Sequence, residues 1–281
     1  MSNLSRIFRR LDGWTLLFLA IIILFVLCAI LAEWIAPGDP FRQNLLGRLK
    51  PPATVVRDVR YILGSDELGR DLLSRLILGA RISMLVALVA VAISGCVGTL
   101  VGMVAAYVGG VTETILMRLA DIVLSVPALL FAIIIVAILG PGLGNVIIVL
   151  ALTRWPRYAR VAHAQTLALN SLPYVRLARF MGGGWLYVVR KHVLPNIAGS
   201  IIVVATLEFG IMVLFESGLS FLGFGVQAPL PSWGSMLSVG REYIESAWWL
   251  ATFPGICLFL LVVSANMLGD RLRDHLDPRL R

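Results

Sequence analysis

The chain has 281 residues, of which 59% are hydrophobic and 14% are charged, whereas soluble domains carry about 45–50% apolar and about 25% charged residues. This composition argues against a soluble globular enzyme. Apolar runs close to the roughly 20 residues that cross a bilayer recur along the whole chain, which predicts an all-α, polytopic protein embedded in the lipid bilayer. No stretch alternates for the roughly ten residues of a barrel strand. The formal charge of +8 is interpreted as a topology signal rather than as a surface for nucleic acid.

Six transmembrane helices are predicted from the apolar runs. The first covers residues 14–36 and closes at a cluster of Pro37, Gly38, Asp39 and Pro40, which cannot continue a helix. Four others are expected at about 82–108, 122–139, 197–219 and 248–268. The fourth span in the chain begins at Leu143 and must continue through Pro156, because 143–153 gives only about 16 Å of helix. The last five spans are expected to form one core, residues 81–270.

The basic residues set the expected orientation of these spans. Seven basic residues and no acidic residue lie between the fourth and fifth spans, so the loop 154–196 is expected in the cytoplasm. Six spans then place residues 1–13 and the tail 271–281 in the cytoplasm as well. The loop 37–80 must lie outside, although it also holds seven basic residues, which conflicts with the positive-inside rule.

One segment of the outer loop has a helical pattern. Apolar residues recur at helical spacing from Leu68 to Ile77, behind Ser65 or Asp66 as the N-cap. Asp71 and Arg75 are four apart on another face of the same pattern. We therefore expect an amphipathic helix at the outer surface.

Three glycines in the second span, Gly95, Gly98 and Gly102, also recur at helical spacing. Small residues in such an arrangement allow a neighbouring helix to approach closely. Glycine is common in membrane helices in general, so the sequence leaves both interpretations open.

Motifs for catalysis, nucleotide binding and metal binding are missing from the sequence. There is no G-x-x-x-x-G-K-[ST] phosphate loop, and neither Lys50 nor Lys191 follows a glycine-rich loop. The three histidines lack ligand spacing, and no G-x-S-x-G nucleophile motif occurs. We therefore expect no catalytic residue, no metal site and no cofactor in this chain.

Two acidic residues lie within the predicted fifth span. A charge at the bilayer centre costs about 2.5–3.5 kcal/mol on insertion scales, so such residues are candidates for a translocation path. Glu208 and Glu216 are eight residues apart, about two helical turns, so both side chains can face one cavity. A structural hydrogen bond near the outer end is the other interpretation of Glu216.

The cytoplasmic loop contains a short amphipathic segment. A helix is predicted after the N-cap Ser171 and before Gly182, with Val175, Ala178 and Met181 along one side and arginines along another. Such a helix can dock in a groove of a soluble partner, or it can bind anionic lipid at the membrane surface. The residues alone do not decide between these two interpretations.

Longer motifs resemble those of a known family of membrane proteins. The first is Leu63–Arg75, which reads LGSDELGRDLLSR, followed by Gly79–Ser83. The second is Leu219–Gly225 with Pro231–Gly234, and the third is Asn266–Arg279. Together they resemble the inner-membrane permease subunits of binding-protein-dependent ABC importers, in the dipeptide, oligopeptide and nickel group. Within that group the sequence resembles the second permease of the pair, over essentially everything after the first span.

This resemblance implies that the short cytoplasmic helix inserts into the ATPase. The coupling residues that it implies are Tyr174, Val175, Arg176, Leu177, Ala178, Arg179, Phe180, Met181 and Gly182. Ala178 and Gly182 match the family's core of Glu-Ala-Ala, three residues and Gly. Arg176 stands where the family has an acid and Leu177 where it has an alanine, so a salt bridge made by that acid is in doubt.

The resemblance also implies an assembly at the inner membrane of a bacterium. A homologous permease pairs with this chain to form the pore, two cytoplasmic ATPase subunits bind ATP and Mg, and a solute-binding protein delivers the cargo outside. Peptides are the expected cargo, and nickel chelates or other small solutes are the alternative.

Two other classes of membrane protein are weighed against this one. An ion-coupled secondary transporter would use Glu208 and Glu216, but it would need inverted repeats or broken helices, and no convincing repeat occurs. A channel or scaffold would leave the cytoplasmic helix unexplained and lacks a pore-lining ring motif.

Overall fold

A computed structural model describes residues 12–57 and 59–276 of the chain. Its helices are α1 (Gly13–Ile30), α2 (Ala32–Ile35), α3 (Leu72–Val108), α4 (Gly110–Ser125), α5 (Ala128–Leu139), α6 (Leu143–Asn170), α7 (Pro173–Phe180), α8 (Trp185–Val188), α9 (Leu194–Phe221), α10 (Trp233–Glu242) and α11 (Trp249–Leu276). A 3₁₀ turn covers Leu45–Gly47, and a π-helical turn, Val189–Val193, joins α8 to α9. The strands β1 (Thr54–Val56) and β2 (Val59–Tyr61) form one antiparallel pair.

This architecture confirms the predicted all-α class. Four helical segments among the described residues, 13–30, 72–108, 185–221 and 249–275, are long and apolar enough to cross a membrane. The pair α4 and α5 raises the number to five if it counts as one span. Helix α6 has 28 residues, about 42 Å at 1.5 Å per residue, but it carries three arginines. Its place as a sixth span stays a prediction. Of the predicted segments 1–13 and 271–281, residues 1–11 and 277–281 lie outside the described residues, and 271–276 belong to α11.

The predicted third span, 122–139, is not one straight helix. Helix α4 ends at Ser125 and α5 begins at Ala128, and the two helices are bent by 94°. Pro127 lies at the break, and Val126 before it has the extended backbone that a following proline favours. The proline therefore separates α4, an amphipathic helix whose last residues 122–125 belong to the predicted span, from the apolar α5.

The predicted amphipathic helix behind Ser65 or Asp66 is wrong in its start and cap, whereas its later residues Leu72, Leu76 and Ile77 do lie on a helix, α3. Residues 65–71 form a tight turn in which the Asp66 carboxylate accepts hydrogen bonds from the backbone N–H groups of Leu68 and Arg70, at 2.9 and 2.8 Å. Gly69 has a positive φ of 71°, and a side chain there would overlap the backbone of Asn44. The carboxylate and the glycine thus stabilise a turn where the apolar spacing predicted a helix.

Helix α3 begins immediately after this turn. Asp71 is its N-cap, and the carboxylate accepts from the Ser74 N–H at 2.8 Å. Arg75 does not pair with Asp71 as predicted but lies 3.3 Å from the Asp66 carboxylate. The helix therefore starts ten residues before the predicted second span and continues to Val108.

The glycines of α3 form its contact with α6. A Cβ at Gly98 would overlap the Trp155 carbonyl oxygen, and one at Gly102 would overlap the carbonyl oxygen of Ala159. Gly95 lies against the ring of Tyr158 at ordinary contact distance. Close helix approach is therefore the interpretation that the structure supports for this glycine pattern.

The helix ends that lie next to the turn 65–71 pack around two tryptophans. Trp233 of α10 is fully buried, and its ring nitrogen donates to the Leu76 carbonyl of α3 at 3.0 Å. Its ring lies 5.3 Å from that of Phe25 on α1, in an edge-to-face arrangement. Trp249 of α11 donates to the carbonyl of Ser65 at 3.2 Å, which ties the turn 65–71 to the bundle.

Candidate coupling helix and buried acidic residues

The start of α7 is set by a proline rather than by the predicted cap. Leu172 is the N-cap residue, in an extended conformation, and Pro173 occupies the first turn, where its missing N–H has no cost. The hydroxyl group of Ser171 instead donates backwards to the Ala168 carbonyl at 2.7 Å. Ser171 therefore closes α6, and the predicted cap at this residue is wrong.

The end of α7 is a glycine-dependent Schellman motif. Gly182 has a positive φ of 85°, and its N–H donates to the Arg179 carbonyl at 3.0 Å. The N–H of Gly183 donates to the carbonyl of Ala178, also at 3.0 Å. These two bonds satisfy the carbonyl groups at the end of the helix, so the helix stops at the predicted glycine.

The inner side of α7 packs on the membrane bundle. Val175 is fully buried in a cluster with Met103 of α3, Ala162 of α6, and Val188, Val189, Val193 and Ile197 near the start of α9. The predicted apolar side of Val175, Ala178 and Met181 is not one face, because α7 ends at Phe180 and Met181 is 81% exposed. Val175 alone of these three is buried in the bundle, and Ala178 is half-buried.

The outward side of α7 is an exposed apolar surface. Phe180 is 89% exposed, and Tyr174 and Leu177 are also exposed. Tyr174, Leu177, Met181 and Gly182 border an open groove of about 570 Å³, which Phe180 does not line. An exposed apolar patch of this kind is typical of an interaction site.

Glu208 lies in an interhelical ion pair. Its carboxylate, on α9, is 3.1 Å from Nη1 of Arg157 and 3.6 Å from Nη1 of Arg154, both on α6. Arg154 is buried, and its guanidinium lies over the Phe215 ring at 4.2 Å from the ring centre. The buried glutamate and the buried arginine thus compensate each other's charge inside the bundle.

Glu216 lies in a separate cradle of serine hydroxyl groups. The side chain is fully buried and accepts from Ser83 of α3 and from Ser220, each at 2.8 Å. Ser217 donates to it more weakly, at 3.4 Å. The N–H of Trp233 donates to the same Ser83 hydroxyl at 3.4 Å, so the cradle joins α3, α9 and the start of α10.

Glu208 and Glu216 therefore occupy two different clusters rather than one lining. Arginines of α6 surround the first, and serines of α3 and α9 surround the second. The structural hydrogen bond considered for Glu216 is present, and the side chain is fully buried. A role of either residue in the translocation path stays a prediction.

Sequence reasoning missed the polar contacts between α4 and α6. Arg160 pairs with Asp121, and the ring nitrogen Nε2 of His163 lies 2.7 Å from the Glu113 carboxylate. The sequence offered a signal for these contacts, because Arg160 and His163 lie three residues apart and therefore on neighbouring positions of one side of α6. In residues 12–57 and 59–276 no group of three or more His, Cys, Asp or Glu side chains is arranged to hold a metal ion.

The sequence matches a family of transport proteins over the same bundle. Residues 98–281 match the family described as "Binding-protein-dependent transport system inner membrane component". The chain belongs to this family. Residues 14–52 match the "N-terminal TM domain of oligopeptide transport permease C". The chain is therefore a multi-pass permease subunit of a bacterial inner membrane, and it is a transport component rather than an enzyme.

Curated relatives resemble the permease over nearly its whole length. The "Di/tripeptide transport system permease protein DppC" of Pseudomonas aeruginosa (strain UCBPP-PA14) is 46% identical over 264 residues, which cover 94% of this chain and 87% of the relative. The "Dipeptide transport system permease protein DppC" of Escherichia coli (strain K12) is 41% identical over 262 residues, which cover 93% and 87%.

A solved structure supports the fold. A chain of the structure titled "Inward facing conformations of the MetNI methionine ABC transporter: CY5 native crystal form" has a TM-score of 0.56 at 21% identity, with 71% of this chain and 95% of that chain covered. This likeness shows the fold, and the family match shows that the permease is a subunit of an ABC importer, a system in which an ATPase and a solute-binding protein accompany the membrane component.

Proposed function

We propose that this permease forms, with a homologous permease subunit, the pore for ATP-driven uptake of di- or oligopeptides. The observation that carries the cargo assignment is the 46% identity to a di/tripeptide permease over 94% of the chain. The match of residues 14–52 to an oligopeptide permease domain supports the same cargo class. Both relatives described above are named for peptides, which disfavours nickel chelates as the cargo.

We also infer that α7 is the element that couples the permease to its ATPase. The exposed apolar surface of Tyr174, Leu177, Phe180 and Met181 suits a groove of a soluble protein better than it suits water. Residues 174–182 of this permease would make this contact, and two partner ATPase subunits would bind ATP and Mg. A solute-binding protein would deliver the peptide at the outer side.

The ion-coupled transporter is the weaker alternative. A proton or ion site needs an acidic residue that changes its charge during transport, whereas Glu208 is held between Arg154 and Arg157. Glu216 is fully enclosed by serine hydroxyl groups. Both arrangements are typical of residues that stabilise a helix bundle.

Deletion of the gene, followed by complementation, tests the cargo. We expect the deletion strain to lose uptake of a labelled dipeptide and to keep uptake of a nickel chelate, and the intact gene should restore peptide uptake. Loss of nickel uptake with unchanged peptide uptake would contradict the proposal.

A further inference from the structure

Arg179, in the last turn of α7, makes contacts that reach outside its own helix. Its Nη2 donates to Oδ1 of Asn170, the last residue of α6, at 2.7 Å. Its guanidinium carbon lies 4.3 Å from the centre of the Tyr107 ring on α3. A planar guanidinium can hold a hydrogen bond in its plane and an aromatic ring against its face at the same time.

The two partners of Arg179 are themselves joined. The Asn170 amide donates to the Ala106 carbonyl of α3 at 3.2 Å. The Tyr107 ring packs edge to face against Trp185 of α8, with ring centres 6.2 Å apart. The arginine thus lies at the centre of a polar and aromatic junction between α7, the end of α6 and the inner end of α3.

Helix α3 extends this junction across the bundle. It runs for 37 residues without a proline, a length of about 55 Å. At its outer part, Ser83 binds the Glu216 carboxylate and the Leu76 carbonyl accepts from Trp233. If the inner end of α3 moves, the helix carries this movement to the contacts that hold the outer ends of α9 and α10.

We propose that Arg179 is a positioning residue that fixes α7 to the inner end of α3, so that ATPase-driven movement of α7 is transmitted to α3. This inference rests on the proposed coupling role of α7. Arg179 acts through Tyr107 and Asn170 and does not touch the cargo. Without it, Val175 still buries α7 on the bundle, but the last turn of the helix loses its link to α3.

A distance measurement tests this link without any transport. In full-length permease lacking Cys28, Cys96 and Cys257, spin labels are placed at Phe180 and Val108, which are 89% and 59% exposed. We expect a narrow distance distribution in the parent and a broad one in Arg179→Ala. The exposed Arg190 provides the control, and Arg190→Ala should leave the distribution narrow.

The reconstituted importer provides the second measurement. We expect Arg179→Ala to bind the ATPase as the parent does but to import at least about tenfold less peptide per ATP hydrolysed. Tyr107→Leu should reproduce this loss, whereas Tyr107→Phe, which keeps the aromatic face, should not.

Three results separate the alternatives. A narrow distribution and an unchanged ratio of uptake to hydrolysis in Arg179→Ala would overturn the inference. Loss of ATPase binding in that variant would make Arg179 a docking residue and would also overturn it. If the parent complex imports no peptide, the proposed function fails, while the distance measurement still decides whether Arg179 positions α7.

Discussion

The Ser83 hydroxyl group on α3 donates a 2.8 Å hydrogen bond to the Glu216 carboxylate on α9, although the two residues are 133 positions apart in the chain. Both residues are fully buried, so neither group has water as a replacement partner. We predict that Ser83→Ala destabilises the permease by about 1 kcal/mol, the size found for hydrogen bonds between membrane helices. Thermal unfolding in detergent measures the change.

Ser94 provides a matched control for this prediction. It is a buried serine on the same helix, but its hydroxyl group donates to the Ala90 carbonyl of its own helix at 2.7 Å. Ser94→Ala should therefore change the unfolding temperature less than Ser83→Ala does. Equal effects of the two substitutions would contradict a specific role of the Glu216 cradle.

The ion pair of Glu208 predicts an asymmetric response to substitution. Glu208→Gln leaves the buried Arg154 without a compensating charge, which costs about 3–5 kcal/mol for buried pairs. Arg157→Gln removes a half-exposed arginine while Arg154 still compensates the carboxylate, and should cost less than about 1 kcal/mol. Unfolding by denaturant in mixed micelles measures both values, and a larger cost for Arg157→Gln would show that the pairing is assigned wrongly.

The cap of α7 predicts a coupling defect. Gly182→Val places a branched side chain in a left-handed conformation, which costs about 1–2 kcal/mol. Such a cost lowers the equilibrium constant between the intact and the opened cap about five- to thirty-fold. Uptake should therefore fall, by at most about that factor, while the permease stays inserted.

Gly184 is the control for the cap. Like Gly182 it has open space around its Cβ position, but its φ is −64°, which any residue adopts. Gly184→Ala should leave uptake unchanged. Full uptake in Gly182→Val would show that the cap of α7 is not needed for coupling. Loss of membrane insertion would show that the cap is a structural element only.

Hydropathy predicts much of this fold because the bilayer demands long apolar helices. It fails where a single residue changes the backbone. Pro127 breaks the predicted third span, and this signal was readable in the sequence. The turn at Asp66 was less readable, because its stability comes from carboxylate contacts with Leu68, Arg70 and Arg75 that no periodicity encodes.

In the candidate site, too, the sequence predicts local backbone features but not tertiary contacts. The glycine stop of α7 follows from local backbone chemistry, so the sequence predicts it. Which face of α7 is buried depends on tertiary contacts with α3 and α9, so the prediction put Val175 and Met181 on one side although Val175 is buried and Met181 is exposed. The partners of Arg179 on α3 and α6 depend on the same contacts.

The orientation of the permease predicts opposite labelling of two loops. Val55, in β1, is 61% exposed in the loop expected outside, and Arg190 is exposed in the loop expected in the cytoplasm. In a background without native cysteines, an impermeant thiol reagent added to intact cells should label Val55→Cys but not Arg190→Cys. Permeabilised cells should label both, and the reverse pattern in intact cells would invert the assigned topology.

The most direct test of ATP-driven peptide uptake is transport by the complete importer in proteoliposomes. The permease pair, the ATPase and the binding protein are reconstituted, and a labelled dipeptide is supplied on the binding-protein side. We predict uptake that requires ATP on the ATPase side and is unchanged when the proton gradient is abolished. Uptake driven by a proton gradient in the absence of ATP would contradict it.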